Sequence, residues 1–175
     1  MAITYTAIAC HRLLCEGYTA GSHHNQHGSG SNYLCLPEVP QWNVHVNGNQ
    51  RYTGTIVGAA YGFSSRNNIF DESNVDTDLG GNPAPCAVCY ARDRSTTLMI
   101  PARPQCPPGW TIEYGGYLAS EWSSSDRKRS SFVCWDEAPE IAAGGRAQHQ
   151  AAVYPVEVLC GTLPCSTYIT GRELT

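Results

Sequence analysis

One unit occurs twice in this chain, and its internal spacing does not drift. Gly17-Tyr18-Thr19-Ala20-Gly21-Ser22 leads through a polar run to Asn32-Tyr33-Leu34-Cys35-Leu36-Pro37-Glu38-Val39-Pro40. Gly116-Tyr117-Leu118-Ala119-Ser120 leads through another polar run to Ser131-Phe132-Val133-Cys134-Trp135-Asp136-Glu137-Ala138-Pro139. Tyr18 and Tyr117, Cys35 and Cys134, Glu38 and Glu137, and Pro40 and Pro139 each stand 99 residues apart. Self-similarity at a fixed offset predicts an internal duplication. The expected architecture is all-β with little helix: two homologous half-domains, 1–100 and 101–175, packed as one compact unit around a shared core.

Each copy has the same physical form. A short run of β character (Tyr18-Thr19, Tyr117-Leu118) enters a polar loop, and a second apolar run closed by a cysteine and a proline leaves it. That pattern predicts a hairpin with a long exposed connection. Residues 3–15 predict a first strand, and Trp42–Asn49 a strand ending in an Asn-Gly turn. Thr53–Phe63 predicts a buried strand with glycines at close approaches. Pro85–Tyr90 and Gln150–Val158 read as strands, and Leu163-Pro164-Cys165 echoes Ala84-Pro85-Cys86. Only Glu137–Ala143 offers a helical turn or two.

Composition narrows the class. The net charge of −4 supplies no field for a polyanion, so no nucleic-acid partner is expected. No apolar run is long enough to span a bilayer, so no membrane insertion is expected. Gly, Ser, Thr, Asn, Pro and Tyr abound, as in turn-rich extracellular β domains. Nine cysteines in 175 residues point to a disulfide framework and a secreted, extracellular chain. Met1 precedes Ala2-Ile3-Thr4-Tyr5 without a basic or apolar leader, as in a mature chain. The odd count leaves one cysteine free or interchain, and Cys15 is the candidate because the second copy has no counterpart for it. Cys10, Cys35, Cys86, Cys89, Cys106, Cys134, Cys160 and Cys165 are then expected in disulfides. Cys10/Cys106, Cys35/Cys134 and Cys86/Cys165 occupy equivalent positions, which does not give connectivity. The zinc-like spacing of Cys86-x2-Cys89 with Cys160-x4-Cys165 is weaker, since the pairs are far apart and share a duplicated Pro-Cys context.

Gly21-Ser22-His23 through Leu36-Pro37, Pro85-Cys86-Ala87-Val88-Cys89-Tyr90, Arg94–Pro101, Gly109-Trp110-Thr111, Glu113–Leu118, Phe132-Val133-Cys134 and Gly171-Arg172-Glu173-Leu174-Thr175 together resemble one family. It is the non-collagenous domain of the short-chain collagen C4-like proteins of marine invertebrates such as sponges. The resemblance covers nearly the whole chain. It implies an extracellular domain that in some members adjoins a collagen repeat, absent from this sequence, and in sponges serves as a secreted lectin. The first loop reads His23-His24-Asn25-Gln26-His27 where the family pattern has His-Tyr-Thr-His.

Sugar recognition needs planar polar groups to pair with adjacent hydroxyls and an aromatic face for the C–H surface of the ring. His23, His24, Asn25, Gln26, His27 and Asn32 supply the former. Trp42, Tyr33 and Trp122 are candidates for the latter, Trp122 standing out among the serines of the second loop. Asp126, Arg127 and Arg129 beside it suit acidic or hydroxyl-rich ligands. Carbohydrate-binding residues are thus expected at His23, His24, Asn25, His27, Asn32, Trp122, Asp126 and Arg127, in two loops that make two sites. The competing readings of the histidine loop are a solvated loop without a fixed role and a metal site. Three-His chelation requires a tight turn, because an extended backbone puts His24 on the opposite face from His23 and Asn25. No cofactor is expected. Calcium at Asp71, Glu72, Asp76 and Asp78 lacks the turn glycine and terminal glutamate of an EF-hand loop.

No Gly-x-Ser-x-Gly elbow and no His-Glu-x-x-His motif is present, and nothing singles out Glu16, Glu38 or Glu113 as an acid pair. The expected function is a non-catalytic, multivalent secreted lectin whose partners are glycans, assembled as a homo-oligomer. The alternative is an extracellular-matrix structural or oligomerisation module.

Overall fold

The computed structural model describes residues 2–4, 12–48, 50–63, 69–73, 75, 77–146 and 150–175. Eight strands form: β1 (Ala2–Thr4), β2 (Arg12–Gly21), β3 (Leu34–Pro37), β4 (Val57–Tyr61), β5 (Pro85–Tyr90), β6 (Gly116–Ser120), β7 (Val133–Asp136) and β8 (Ala151–Pro155). No described residue is helical, so the chain is all-β. The strands follow the order β1-β5-β2-β4-β8-β6-β7, with β3 on β2 outside that path. Every pairing is antiparallel except β4 with β8, where Ala59–Tyr61 run parallel to Ala151–Val153. Ala59 and Ala60 lie opposite Ala151 and Ala152, all four buried where β4 joins β8.

The two hairpins pair in the same register. Gly17 faces Pro37, Tyr18 faces Leu36 and Thr19 faces Cys35; Gly116 faces Asp136, Tyr117 faces Trp135 and Leu118 faces Cys134. Both hairpins need their glycine for the same reason. A Cβ on Gly17 would run into the Leu36 carbonyl oxygen, and one on Gly116 into the carbonyl oxygen of Trp135. The flanking hydrogen bonds also correspond. Thr19 N–H donates to Ala84 O and Ala84 N–H to Ala59 O; Leu118 N–H donates to Leu174 O and Leu174 N–H to Val156 O. Further along, Tyr61 N–H donates to Asn82 O and Gly81 N–H to Tyr61 O, matched by Val158 to Arg172 and Gly171 to Val158.

This ladder corrects one expectation. The backbone counterpart of Ala84 is Leu174, not Leu163. Residues 163–165 lie instead in a local turn, where Thr167 and Tyr168 both donate to Pro164 O and Cys165 bonds to Cys160.

Cys35–Cys86 ties β3 to β5, the two strands that flank β2 (Cα–Cα 5.6 Å), and Cys89 is also disulfide-bonded. Cys10 falls outside the described residues. Cys106 and Cys134, expected in disulfides, are free thiols, as is the half-buried Cys15. Cys165, read as equivalent in position to Cys86, is bonded to Cys160. Cys106 enters a loop, not a strand.

One core serves both halves. Tyr33, Tyr61, Phe63, Phe70 and Leu79 pack with Ala119, Trp135 and Val153. Trp135, 1% exposed, meets Tyr61 edge to face at 5.5 Å, and Phe70 meets Tyr117 at 5.2 Å. The Tyr33 hydroxyl crosses the molecule to donate to Ala152 O at 2.8 Å.

Other expectations fail locally. Residues 42–48 form no strand: Val44 is 99% exposed, so alternation there serves no buried face. The strand expected at 53–63 is confined to β4, and the one expected at 3–15 resolves into β1 and β2 with Tyr5–His11 undescribed between. Glu137–Ala143 is extended and bent, not helical.

Candidate binding cleft and the adjoining charged loop

At the end of β2 the first polar loop folds back on itself. Ser22 donates its hydroxyl to Gly30 O, and Gln26 N–H donates to His23 O at 3.3 Å, closing a turn over residues 23–26. Gly28 and Ser29 then take positive φ (98° and 57°), turning the chain toward the segment after Gly48. There the Ser29 hydroxyl accepts the Thr55 N–H at 2.9 Å. Gly54 passes close by, where a side chain would press on the Ser29 hydroxyl at 3.2 Å. Tyr52 also adopts positive φ (62°) and is 99% exposed.

Between the loop and this segment lies a cleft of about 280 Å³. It is lined by Ser22, His23, Gln26, His27, Ser29, Tyr52, Thr53 and Thr55, of which the Ser22 hydroxyl donates to Gly30 O and the Thr53 hydroxyl to Gln50 O at 3.0 Å. Ser22 and His23 are buried at its base, while Gln26 and His27 are exposed at its rim.

The two histidines do not alternate as on an extended backbone, because residues 23–26 form a turn. His23 lines the cleft, its Nδ1 accepting the Asn25 N–H at 3.4 Å, so its ring proton sits on Nε2. His24 does not line it. Its Nδ1 meets Gln150 O at 2.9 Å, and since a carbonyl only accepts, that nitrogen carries the proton. The two rings stack with centroids 4.4 Å apart. Among the described residues no three His, Cys, Asp or Glu side chains converge on a metal position. Of the acidic linker, Asp71 accepts the Ser73 N–H and Asp78 the Gly80 N–H, both local turn bonds; Asp76 is outside the described residues.

The second loop lies beside the first, hydrogen-bonded to its other face. Lys128 N–H donates to His24 O at 3.0 Å and Ser131 N–H to Ser31 O at 2.9 Å. Lys128 Nζ reaches Gly30 O at 2.9 Å, and the Ser131 hydroxyl donates to Asn32 Oδ1 at 2.6 Å. Asn32 is therefore a strut between loops and not a lining residue.

Within the second loop the charges turn inward. Glu121, its side chain 4% exposed, accepts the Trp122 N–H at 2.9 Å and faces the Arg127 guanidinium at 3.5 Å. Arg127 also lies over the Trp122 ring, 5.4 Å from its centroid, and Trp122 tilts against Tyr154. Gly62 makes room for Tyr154, whose ring occupies the space a Cβ would need. Burial pushes the Glu121 carboxyl above the usual range, outweighing the Trp122 amide and Arg127. Asp126, held by the Ser124 hydroxyl, is lowered. Burial lowers Lys128 and raises the Tyr154 phenol.

Of the residues expected in a sugar site, the cleft gathers His23 and His27. His24 and Asn32 join the two loops, and Asn25 sits exposed in the turn between them. Trp122, Asp126 and Arg127 form a separate cluster on the second loop and do not line the cleft. Tyr33, weighed as an aromatic face, is a core residue. Sequence reasoning missed Tyr52, Ser29, Thr53 and Thr55. The one signal for Tyr52 was an aromatic residue isolated in a polar run after Asn47-Gly48. No protein-family model matches the chain, and no solved structure matches its fold.

Proposed function

We propose that this protein is a secreted, non-catalytic carbohydrate-binding protein and that its halves arose by duplication. The equal registers of the two hairpins support the duplication. The observation that carries the binding reading is the cleft itself: a concave wall of hydroxyl, amide and imidazole groups beside a tyrosine ring open to solvent. Such groups pair with adjacent sugar hydroxyls, and the ring receives the sugar C–H face. The disulfides accord with an oxidising, extracellular setting. One shallow site binds weakly, so a homo-oligomer presenting several would raise avidity by roughly 10²–10⁴. Cys15, half-buried and free, offers a covalent link between copies.

A matrix or assembly module is the second reading. It is favoured by the exposed apolar side chains of Leu34, Leu36, Val39, Trp42, Val44 and Val46, a continuous stretch that could meet another protein. A glycan array probed with the oxidised protein, with and without chelator, separates the two. Sugar-inhibitable signal that survives chelation is expected. A blank array from a folded, oligomeric sample would leave the matrix reading.

A further inference from the structure

We infer that the cleft takes a single uncharged sugar ring, a terminal neutral hexose or N-acetylhexosamine, and discriminates against carboxylated or sulfated sugars; this rests on the carbohydrate-binding reading above. Size comes first. About 280 Å³ lies at the lower limit of ligand pockets, which suits one ring with the rest of a glycan in solvent.

Charge decides the class. Drawing an anion partly out of water requires a cation or charge-assisted donors to replace its hydration. Among the described residues the cleft wall holds no Asp, Glu, Lys or Arg, its basic groups being the imidazoles of His23 and His27. Lys128, Arg127 and Arg51 each lie against a protein group. Lys128 Nζ donates to Gly30 O at 2.9 Å, and Arg127 lies against Glu121 and over Trp122. The Arg51 guanidinium lies over the Tyr52 ring, 5.8 Å from its centroid. Neutral hydroxyls, by contrast, find donors and acceptors in Gln26 and Thr55, a remaining donor in the Ser29 hydroxyl, which accepts the Thr55 N–H, and a remaining acceptor in the Thr53 hydroxyl, which donates to Gln50 O.

The wall is also fixed by a contact between distant segments: the Ser29 hydroxyl accepts the N–H of Thr55, 26 residues on.

The test is a titration of the full oxidised protein with methyl glycosides of neutral hexoses and N-acetylhexosamines, and with sialylated and sulfated oligosaccharides, read by saturation-transfer NMR and calorimetry. At least one neutral glycoside is expected to bind. Tyr52→Ala should weaken it about tenfold or more through loss of the aromatic face, while Trp122→Ala changes it less than about twofold. Amide dispersion in the NMR spectrum checks that both variants fold. Binding of acidic glycans alone, lost in Arg51→Ala, would overturn the neutral class and leave the carbohydrate reading standing. Neutral binding that survives Tyr52→Ala and disappears in Trp122→Ala would move the site to the second loop and also overturn the inference. No binding of any glycan would remove the carbohydrate reading itself.

Discussion

The two hairpins share a register and differ in what their loops do with polar groups. The first loop, 22–32, leaves Gln26 and His27 exposed beside an open cleft and leans outward onto Thr55. The second loop, 121–131, closes on itself: Glu121, Arg127, Trp122 and Tyr154 pack against one another, with the buried Arg127 Nε left without a hydrogen bond among the described residues. The same scaffold thus carries one loop organised around a space and one organised around an ion pair. A polar loop is not a binding loop by composition alone. What matters is whether the loop leaves a space for its polar groups to line.

The sharpest way to break the comparison is at the hairpin glycines. Gly17→Ala and Gly116→Ala each drive a Cβ into a backbone carbonyl that cannot swing aside. Both should destabilise by about 3 kcal/mol or more, in denaturant titrations of the oxidised protein. A large loss in one and a negligible loss in the other would show that the hairpins are not equivalent.

The cysteines provide the next contrast. Cys35 and Cys134 occupy the same hairpin position, yet only Cys35 is bonded, closing a separation of 51 residues to Cys86. Removing that bond with the double substitution Cys35→Ser/Cys86→Ser should cost about 2–5 kcal/mol. Cys134→Ser should cost about 1–2 kcal/mol, since it exchanges one partly buried thiol for a hydroxyl. Thiol counting under denaturing conditions provides the check on pairing: Cys106 and Cys134 should react without reductant, and Cys15 with them wherever it does not link two copies.

The smallest effect concerns the ion pair of the second loop. Burial holds the Glu121 carboxyl above the usual glutamate range. The folded state therefore takes up this proton more readily than the unfolded chain does. The group's contribution to stability is full below the ordinary glutamate pKa and is lost as pH rises through the raised value. Thermal midpoints should decline across that window in the parent protein, and Glu121→Gln should flatten the decline. Asp126, lowered by Ser124, has the opposite sign: its contribution is present above the ordinary aspartate pKa and fades as pH falls through the lowered one. An unchanged slope in Glu121→Gln would show that the carboxyl is solvated, and that the second loop is as open as the first.

Much of the hairpin scaffold was legible because its determinants are local. Tyr18-Thr19-Ala20 and Tyr117-Leu118-Ala119 carry strand propensity, the glycines before them permit close backbone approach, and the matched offset fixes one register in both. The abundance of cysteine likewise announced disulfides. Their partners were not legible, because Pro-Cys at 164–165 resembles Pro-Cys at 85–86 while the backbone ladder places Leu174, not Leu163, opposite Leu118. That choice depends on hydrogen bonds between distant segments, which no residue pattern records.

The cleft divides along the same line. Sequence by itself placed polar, hydrogen-bonding groups on the first loop. The turn over residues 23–26, which stacks His23 on His24, belongs to the tertiary structure. Only the tertiary structure decided that Trp122 pairs with Arg127, and that Tyr52 stands across from His23 and His27. The alternation at 42–48 has no buried face to serve, and the position of 50–56 is set by a few long-range contacts such as Ser29 with Thr55.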